Sequence, residues 1–166
     1  MNDATADTAI FLMLGALRQF SAPFISVRQG DWRGPDYRLG HDPRGKKLGI
    51  LGMGGIGRAM AARARPFGME VQYHNRRQLP AEQEEGAKYV SFEELLKTSD
   101  VLSTNLALNA DTRHIISKPQ FDMMKDNVVI VNTARGPVID EAALVEALES
   151  GKVLSAGLDV FEEEPE

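Results

Sequence analysis

Gly52, Gly54 and Gly57 stand at the first, third and sixth positions of a G-x-G-x-x-G turn, a spacing suited to holding phosphate. The apolar run Leu48, Ile50, Leu51 before it reads as a strand. Residues 55 to 67 carry Ile56, Ala59, Met60, Arg63, Ala64 and Phe67 at helical spacing, and Met69 to His74 reads as a second strand. In that setting the first glycine permits the sharp turn, the second lets backbone approach a pyrophosphate, and the third lets helix pack closely on sheet. Free N–H groups and the positive end of the helix then face the phosphates of a dinucleotide.

Two further segments place charge where a strand stops. Asn132-Thr133-Ala134-Arg135-Gly136 offers a guanidinium, and Asp159-Val160-Phe161-Glu162-Glu163-Glu164-Pro165 offers carboxylates. An arginine there can grip a substrate carboxylate through two parallel hydrogen bonds and polarise an adjacent carbonyl. A carboxylate nearby can orient a proton-donating imidazole. Position alone leaves open the plainer reading, a surface arginine and a solvated acidic run.

The elements that must position these groups follow in order. Residues 4 to 20 read as one helix, with Ala6, Ile10, Met13, Leu17 and Phe20 on one stripe, widened by Phe11, Leu12 and Leu14. So broad a face predicts core packing plus contact with another subunit. Pro23 to Gly30 reads as a short helix ending near Trp32, and Gly34 to Gly45 as a connecting loop. After the glycine unit come a polar stretch to Glu85, a short strand at Lys88 to Val90, and a helix begun by Ser91 with Glu94 in a capping-box pattern. Val101 to Thr104 and Val128 to Asn132 read as strands flanking a short helix at Ser117 to Met124. Asp140 caps a helix with Ala143, Leu144, Ala147 and Leu148 inward, Gly151 stops it, and Val153 to Val160 is the sixth strand. Strands alternating with helices predict an α/β fold with a doubly wound parallel sheet, ligands lying outside the carboxyl ends of its strands.

Bulk properties narrow the partners. With 19 basic and 24 acidic residues the net charge of −5 disfavours nucleic acid. The absence of cysteine excludes disulfides and thiolate metal sites, and no metal site is expected. The longest apolar run, Ala9 to Leu17, falls short of the ~18 residues of a membrane span. Asp3 and Asp7 precede it, where a signal peptide would carry basic residues. A cytoplasmic protein without membrane contact is expected.

Taken together, Gly52-x-Gly54-x-x-Gly57, Thr112-Arg113-His114-Ile115-Ile116, Asn132-Thr133-Ala134-Arg135-Gly136 with Asp140-Glu141-Ala142, and Gly157-Leu158-Asp159-Val160-Phe161 resemble the D-isomer-specific 2-hydroxyacid dehydrogenases over almost the whole chain. The resemblance implies a Rossmann cofactor domain and hydride transfer between NAD(P)H and C2 of a 2-oxo or 2-hydroxy acid of the glyoxylate or hydroxypyruvate type. Of the family's catalytic Arg, Glu and His, Arg135 matches the first and Glu164, immediately before Pro165, the second. The family's histidine follows a further strand, and His41, His74 and His114 stand elsewhere and read as ordinary residues. The chain is therefore expected to be a cofactor domain without most of its substrate lobe, binding cofactor without turnover. Residues 1–34 would form a helical linker and interface segment, and residues 35–166 the dinucleotide-binding domain, ending before its last strand.

The resemblance also implies Gly55 and Ile56 at the pyrophosphate, and Leu106, Ala107 and Thr112 at the adenosine end, Ala107 standing where proline is common. It puts Thr133 and Ala134 near the nicotinamide ribose and Asp159 at the nicotinamide amide. Relatives are dimers through the cofactor domain. Some are dinucleotide-sensing corepressors, which makes a binding scaffold the alternative function. As to the cofactor, an NAD enzyme ends its second strand with Asp or Glu about 20 residues past the fingerprint. Here Asn75 stands there, followed by Arg76 and Arg77. A neutral amide beside two guanidinium groups attracts a 2′-phosphate, so NADP is expected over NAD.

Overall fold

A computed structural model describes residues 2–31 and 39–164; the expected end of the second helix near Trp32, most of the first half of the loop after it, and Pro165 lie outside them. The strands are β1 (Lys47–Leu51), β2 (Glu70–His74), β3 (Lys88–Tyr89), β4 (Val101–Thr104), β5 (Val128–Asn132) and β6 (Val153–Leu158). All pair in parallel, in the order β3-β2-β1-β4-β5-β6. Every residue of β4 and β5 is buried, the mark of a sheet covered on both faces.

One face is covered by α1 (Asn2–Leu17) and α3 (Gly55–Ala64), whose Ala6, Met13, Met60 and Ala61 pack with Leu48, Ile50, Val129 and Val131. The other is covered by α4 (Phe92–Thr98), α5 (Lys118–Met123) and α6 (Glu141–Glu149), through Leu95, Leu96, Phe121 and Leu144 against Leu51, Leu102 and Ile130. Both predicted caps form: the Glu94 N–H donates to Ser91 Oγ at 3.1 Å and the Ala143 N–H to Asp140 Oδ1 at 3.2 Å. Since β1 is flanked by β2 and β4, the chain changes direction across the sheet there, opening a crevice at the carboxyl ends of β1 and β4.

Several boundaries differ from expectation. The helix read as 4 to 20 stops at Leu17, because Gln19 takes a left-handed φ of +48°. Phe20 consequently leaves the buried stripe and is 59% exposed. The next helix, α2, spans Ser21–Arg28, with Pro23 inside its first turn, where a missing N–H costs nothing. α3 ends at Ala64. Pro66 cannot donate to the ladder, so Arg65–Phe67 tightens into one 3₁₀ turn closed by Gly68 at φ +74°, and Met69 falls outside β2. Leu148 is 37% exposed, not inward, and β6 stops at Leu158.

Candidate active site

The glycine corner assigns each glycine a separate physical duty. Gly52 has φ +96°, a conformation that L side chains rarely adopt. A Cβ on Gly57 would run into the Gly52 carbonyl oxygen and lie 3.1 Å from Ile50 Cγ2, so α3 can approach β1 only with glycine there. Gly54 is exposed, and a Cβ on it would meet nothing within 4 Å; the space beside it is open to a ligand. α3 begins at the next residue, so the N–H groups of its first turn, Gly55, Ile56 and Gly57 among them, have no acceptor within the helix. Asn2 of α1 lays its side-chain amide over Gly55. It is held there because Arg63 reaches back along α3 to the Ala59 carbonyl (3.0 Å) and pairs with Asp3 (2.9 Å) and Asp7 (2.6 Å).

At the end of β2, Asn75 Oδ1 accepts the Met53 N–H at 2.7 Å. Only an acceptor can face that donor, so the amide NH₂ must point the other way. Asn75, Arg76, Arg77 and Leu106 line an open cleft of about 670 Å³. Both arginines are exposed, and neither has an ion-pair partner among the described residues. Across the cleft, the loop carrying Ala107 is fixed by Thr112, whose hydroxyl donates to the Ala107 carbonyl (2.7 Å) and accepts from the Asn109 N–H (2.9 Å). Thr112 thus shapes the loop, restoring rigidity that proline at 107 would have supplied.

The other half of the rim forms where β5 and β6 end side by side. Asn132 organises the first loop: its Oδ1 accepts from Thr104 Oγ1 (2.8 Å) and the Ala134 N–H (3.0 Å), and its Nδ2 donates to the Arg135 carbonyl (3.0 Å). Thr133 is buried, and its Oγ1 has no hydrogen-bond partner among the described residues. A Cβ on Gly136 would overlap the Phe161 carbonyl, so this glycine lets the arginine loop and the acidic loop touch. The Asp159 N–H continues the ladder to the Asn132 carbonyl at 3.0 Å. Arg135 and Glu164 therefore share one rim, both exposed. They do not pair: Arg135 Nη1 donates to the Ala134 carbonyl (2.7 Å), and Glu164 Oε1 accepts the Phe161 N–H (2.9 Å).

His114 departs from its ordinary reading, since its imidazole pairs with Glu162 of the acidic loop. Nearby, Asp140 accepts from Ser117 Oγ at 2.8 Å, and that bond, with the Ala143 N–H, holds its carboxyl below the usual carboxylate range.

Comparison with known proteins gives this geometry its family. The pattern described as "D-isomer specific 2-hydroxyacid dehydrogenase, NAD binding domain" matches residues 10–166. The chain belongs to this family. The chain is 66% identical over 165 residues to 4-methyl-2-oxopentanoate reductase A of Aspergillus oryzae, covering 99% of this chain and 50% of that one. It is 55% identical to glyoxylate reductase 1 of Saccharomyces cerevisiae, covering 99% and 49%. A crystal structure of a glyoxylate reductase from Paecilomyes thermophila superposes with a TM-score of 0.96 at 67% identity, covering 99% and 50%. The chain thus spans about half the length of the relatives it matches.

The residues present fit a nicotinamide dinucleotide. The open space at Gly54, the unpaired donors of α3 and the orphaned hydroxyl of Thr133 all lie along the carboxyl ends of β1 and β5. Sequence reading missed Asn2, Asn132 and His114. Asn2 lies far from the fingerprint in the chain, Asn132 reads as part of its motif without its role in folding the loop, and His114 acts on a partner 48 residues away.

Proposed function

We propose that this chain is the cofactor half of an NADPH-dependent reductase of a small 2-oxo acid, of the glyoxylate or hydroxypyruvate type. The bound cofactor would supply the hydride. Gly54 to Gly57 and Asn2 would hold its pyrophosphate, Thr133 and Ala134 would lie by its nicotinamide ribose, and Asp159 by its amide. Arg135 would anchor the substrate carboxylate, and Glu164 would orient the imidazole that moves the proton. The names of the relatives, reductases of glyoxylate and of 4-methyl-2-oxopentanoate, support the substrate class.

The single observation that carries the NADP preference is the direction of Asn75. With its oxygen engaged by Met53, it keeps its amide N–H groups as donors, beside two guanidinium groups that have no ion-pair partner among the described residues. A 2′-phosphate is all acceptor and matches that set; a 2′-hydroxyl gains less from it. The test is the dissociation constant of each cofactor. NADPH should bind at least about tenfold more tightly than NADH, and Arg76→Ala should remove most of the ratio, since charge-assisted bonds of this kind contribute about 1.5–3 kcal/mol. Equal constants would refute the preference. NADPH oxidation with glyoxylate by this chain alone would refute the expectation that it binds without turnover.

The proposal extends to a homodimer through α1 and α2. Phe11, Phe20, Phe24, Ile25 and Val27 are each between 47% and 71% exposed, more large apolar surface than scattered single residues account for. Sedimentation at high concentration tests it, and a monomer throughout would count against it.

A further inference from the structure

The acidic loop carries the carboxylate assigned to catalysis, yet Glu164 is exposed and, among the described residues, bonded only within its own loop. What fixes that loop on the rim lies elsewhere. The Glu162 N–H donates to Glu141 Oε1 at 2.6 Å, and the Glu162 carboxylate takes the Nε2–H of His114; the imidazole must be the donor, because an ionised carboxylate only accepts. The two side chains keep 35% and 25% of their surface, enough shielding to strengthen the pair beyond that of two solvated groups.

His114 is in turn fastened to the segment that follows Arg135. Its N–H donates to the Pro137 carbonyl at 2.8 Å, Ile116 bridges Ile139, and the Asp140 N–H returns to the Ile116 carbonyl at 2.9 Å. The residue takes a φ of +51°, a left-handed conformation that costs a residue with a Cβ about 1–2 kcal/mol and that this anchoring holds in place. One residue therefore joins three loops: its backbone N–H ties the loop after β4 to the loop after β5, and its imidazole ties it to the loop after β6.

We infer that His114 is a positioning residue, whose imidazole clamps Glu162 and thereby sets the places of Asp159 and Glu164 on the rim. The inference rests on the dehydrogenase reading above, because it gives the loop a duty only at the nicotinamide end of the site. The adenosine end is built from Asn75 to Arg77 and the start of the loop after β4 at Leu106, which Thr112 holds through Ala107 and Asn109 without use of the imidazole.

That difference supplies the test. Dissociation constants are measured for NADPH and for 2′,5′-ADP, which lacks the nicotinamide, on the chain, on His114→Asn, on Glu162→Gln and on the double variant. Asparagine suits the left-handed backbone and is too short to reach Glu162, so the fold is kept. Each single variant should weaken NADPH by about 3- to 10-fold, and the double variant by no more than either, as for two members of one contact. The constant for 2′,5′-ADP should stay within about twofold in every variant, being set at sites remote from the change. The ¹⁵N signal of His114 Nε2 should move in Glu162→Gln while those of His41 and His74 stay put. Unchanged NADPH binding, equal weakening of both probes, or additive effects in the double variant would each overturn the clamp. If the unmodified chain binds neither probe, the dehydrogenase reading fails and takes the clamp with it; if it binds both and the variants match it, the clamp alone is overturned.

Discussion

The corner at Gly52 to Gly57 and the loop from Asp159 to Glu164 both bring chain to the same rim, but through contacts of different range. The corner takes its shape from its own glycines, within six consecutive residues, and Asn75 at the end of β2 only fastens it there. The loop is held by His114, 48 residues from Glu162, and by Glu141, 21 residues away on another element. A short-range device leaves its record in a residue pattern, and a long-range one does not. The corner should accordingly fail by steric exclusion and the loop by coming adrift.

The largest effect is expected at Gly57. Alanine there puts a methyl group into the Gly52 carbonyl, where backbone meets backbone and neither can yield; urea denaturation should show a loss of about 3 kcal/mol. Gly54→Ala gives the contrast. Its φ of −83° and ψ of −158° suit any residue and its Cβ meets open space, so stability should hold within about 0.5 kcal/mol. On the proposed assignment the same methyl would occupy the place of the pyrophosphate, and the dissociation constant for NADPH should rise at least about tenfold, roughly 1.4 kcal/mol. A Gly54→Ala protein that binds as before would break the assignment of this corner to phosphate.

Gly136→Ala comes next, on the opposite side of the comparison. Its methyl overlaps the Phe161 carbonyl, but the obstructed partner belongs to a surface loop that can back away. The expected loss is about 1–2 kcal/mol, toward the lower part of the range for overpacking, together with weakened NADPH binding and unchanged 2′,5′-ADP binding. Loss of both ligands in parallel would mean that the two halves of the rim are not separable.

The same contrast explains what was legible beforehand. The alternation of strands and helices, the fingerprint, the caps at Ser91 and Asp140 and the arginine after β5 each follow from residues close together in the chain. The end of α1 was not legible: nothing around Gln19 marks its left-handed turn, and Phe20 continues the apolar period although the helix has stopped. Leu148 likewise fits the inward spacing of α6 and yet stays 37% exposed. Asn75 was identified from its position as the replacement for an acidic residue, but the direction of its amide depends on Met53 and had to be seen. His114 could be recognised as one half of a pair only once Glu162 stood beside it.

Asp140 and Tyr73 extend the comparison to pH. Asp140 serves the half of the rim that ends in Arg135, and Asp140→Ala should cost about 1 kcal/mol as a lost cap. Its carboxyl is held below the usual range first by the Ser117 hydroxyl and then by the Ala143 N–H. The folded chain therefore releases this proton at a lower pH than the unfolded chain, and the stabilisation is present above the ordinary carboxylate value and lost as pH falls through the lowered one. Ser117→Ala should bring Asp140 back toward its ordinary value and flatten that part of the acid limb, as read by denaturation midpoints between neutral and acid pH.

Tyr73, on β2 behind the adenosine end, carries the smallest effect and the opposite sign. Its ring is fully buried and its hydroxyl donates to Glu84 Oε1 at 2.7 Å. Burial first, and that bond second, push its pKa from 10.0 up to about 12. In this window the folded chain keeps a proton that the unfolded chain gives up, so stability is intact below pH 10 and declines toward pH 12. A titration of tyrosine absorbance should show one late proton, and Glu84→Gln, which keeps an acceptor but removes the charge, should bring it earlier. If acid and alkali instead opened both halves of the rim together, as judged by hydrogen exchange at the amides of Met53 and Glu162, the corner and the loop would be parts of one cooperative unit. The local and the long-range devices would then stand or fall at a single free energy.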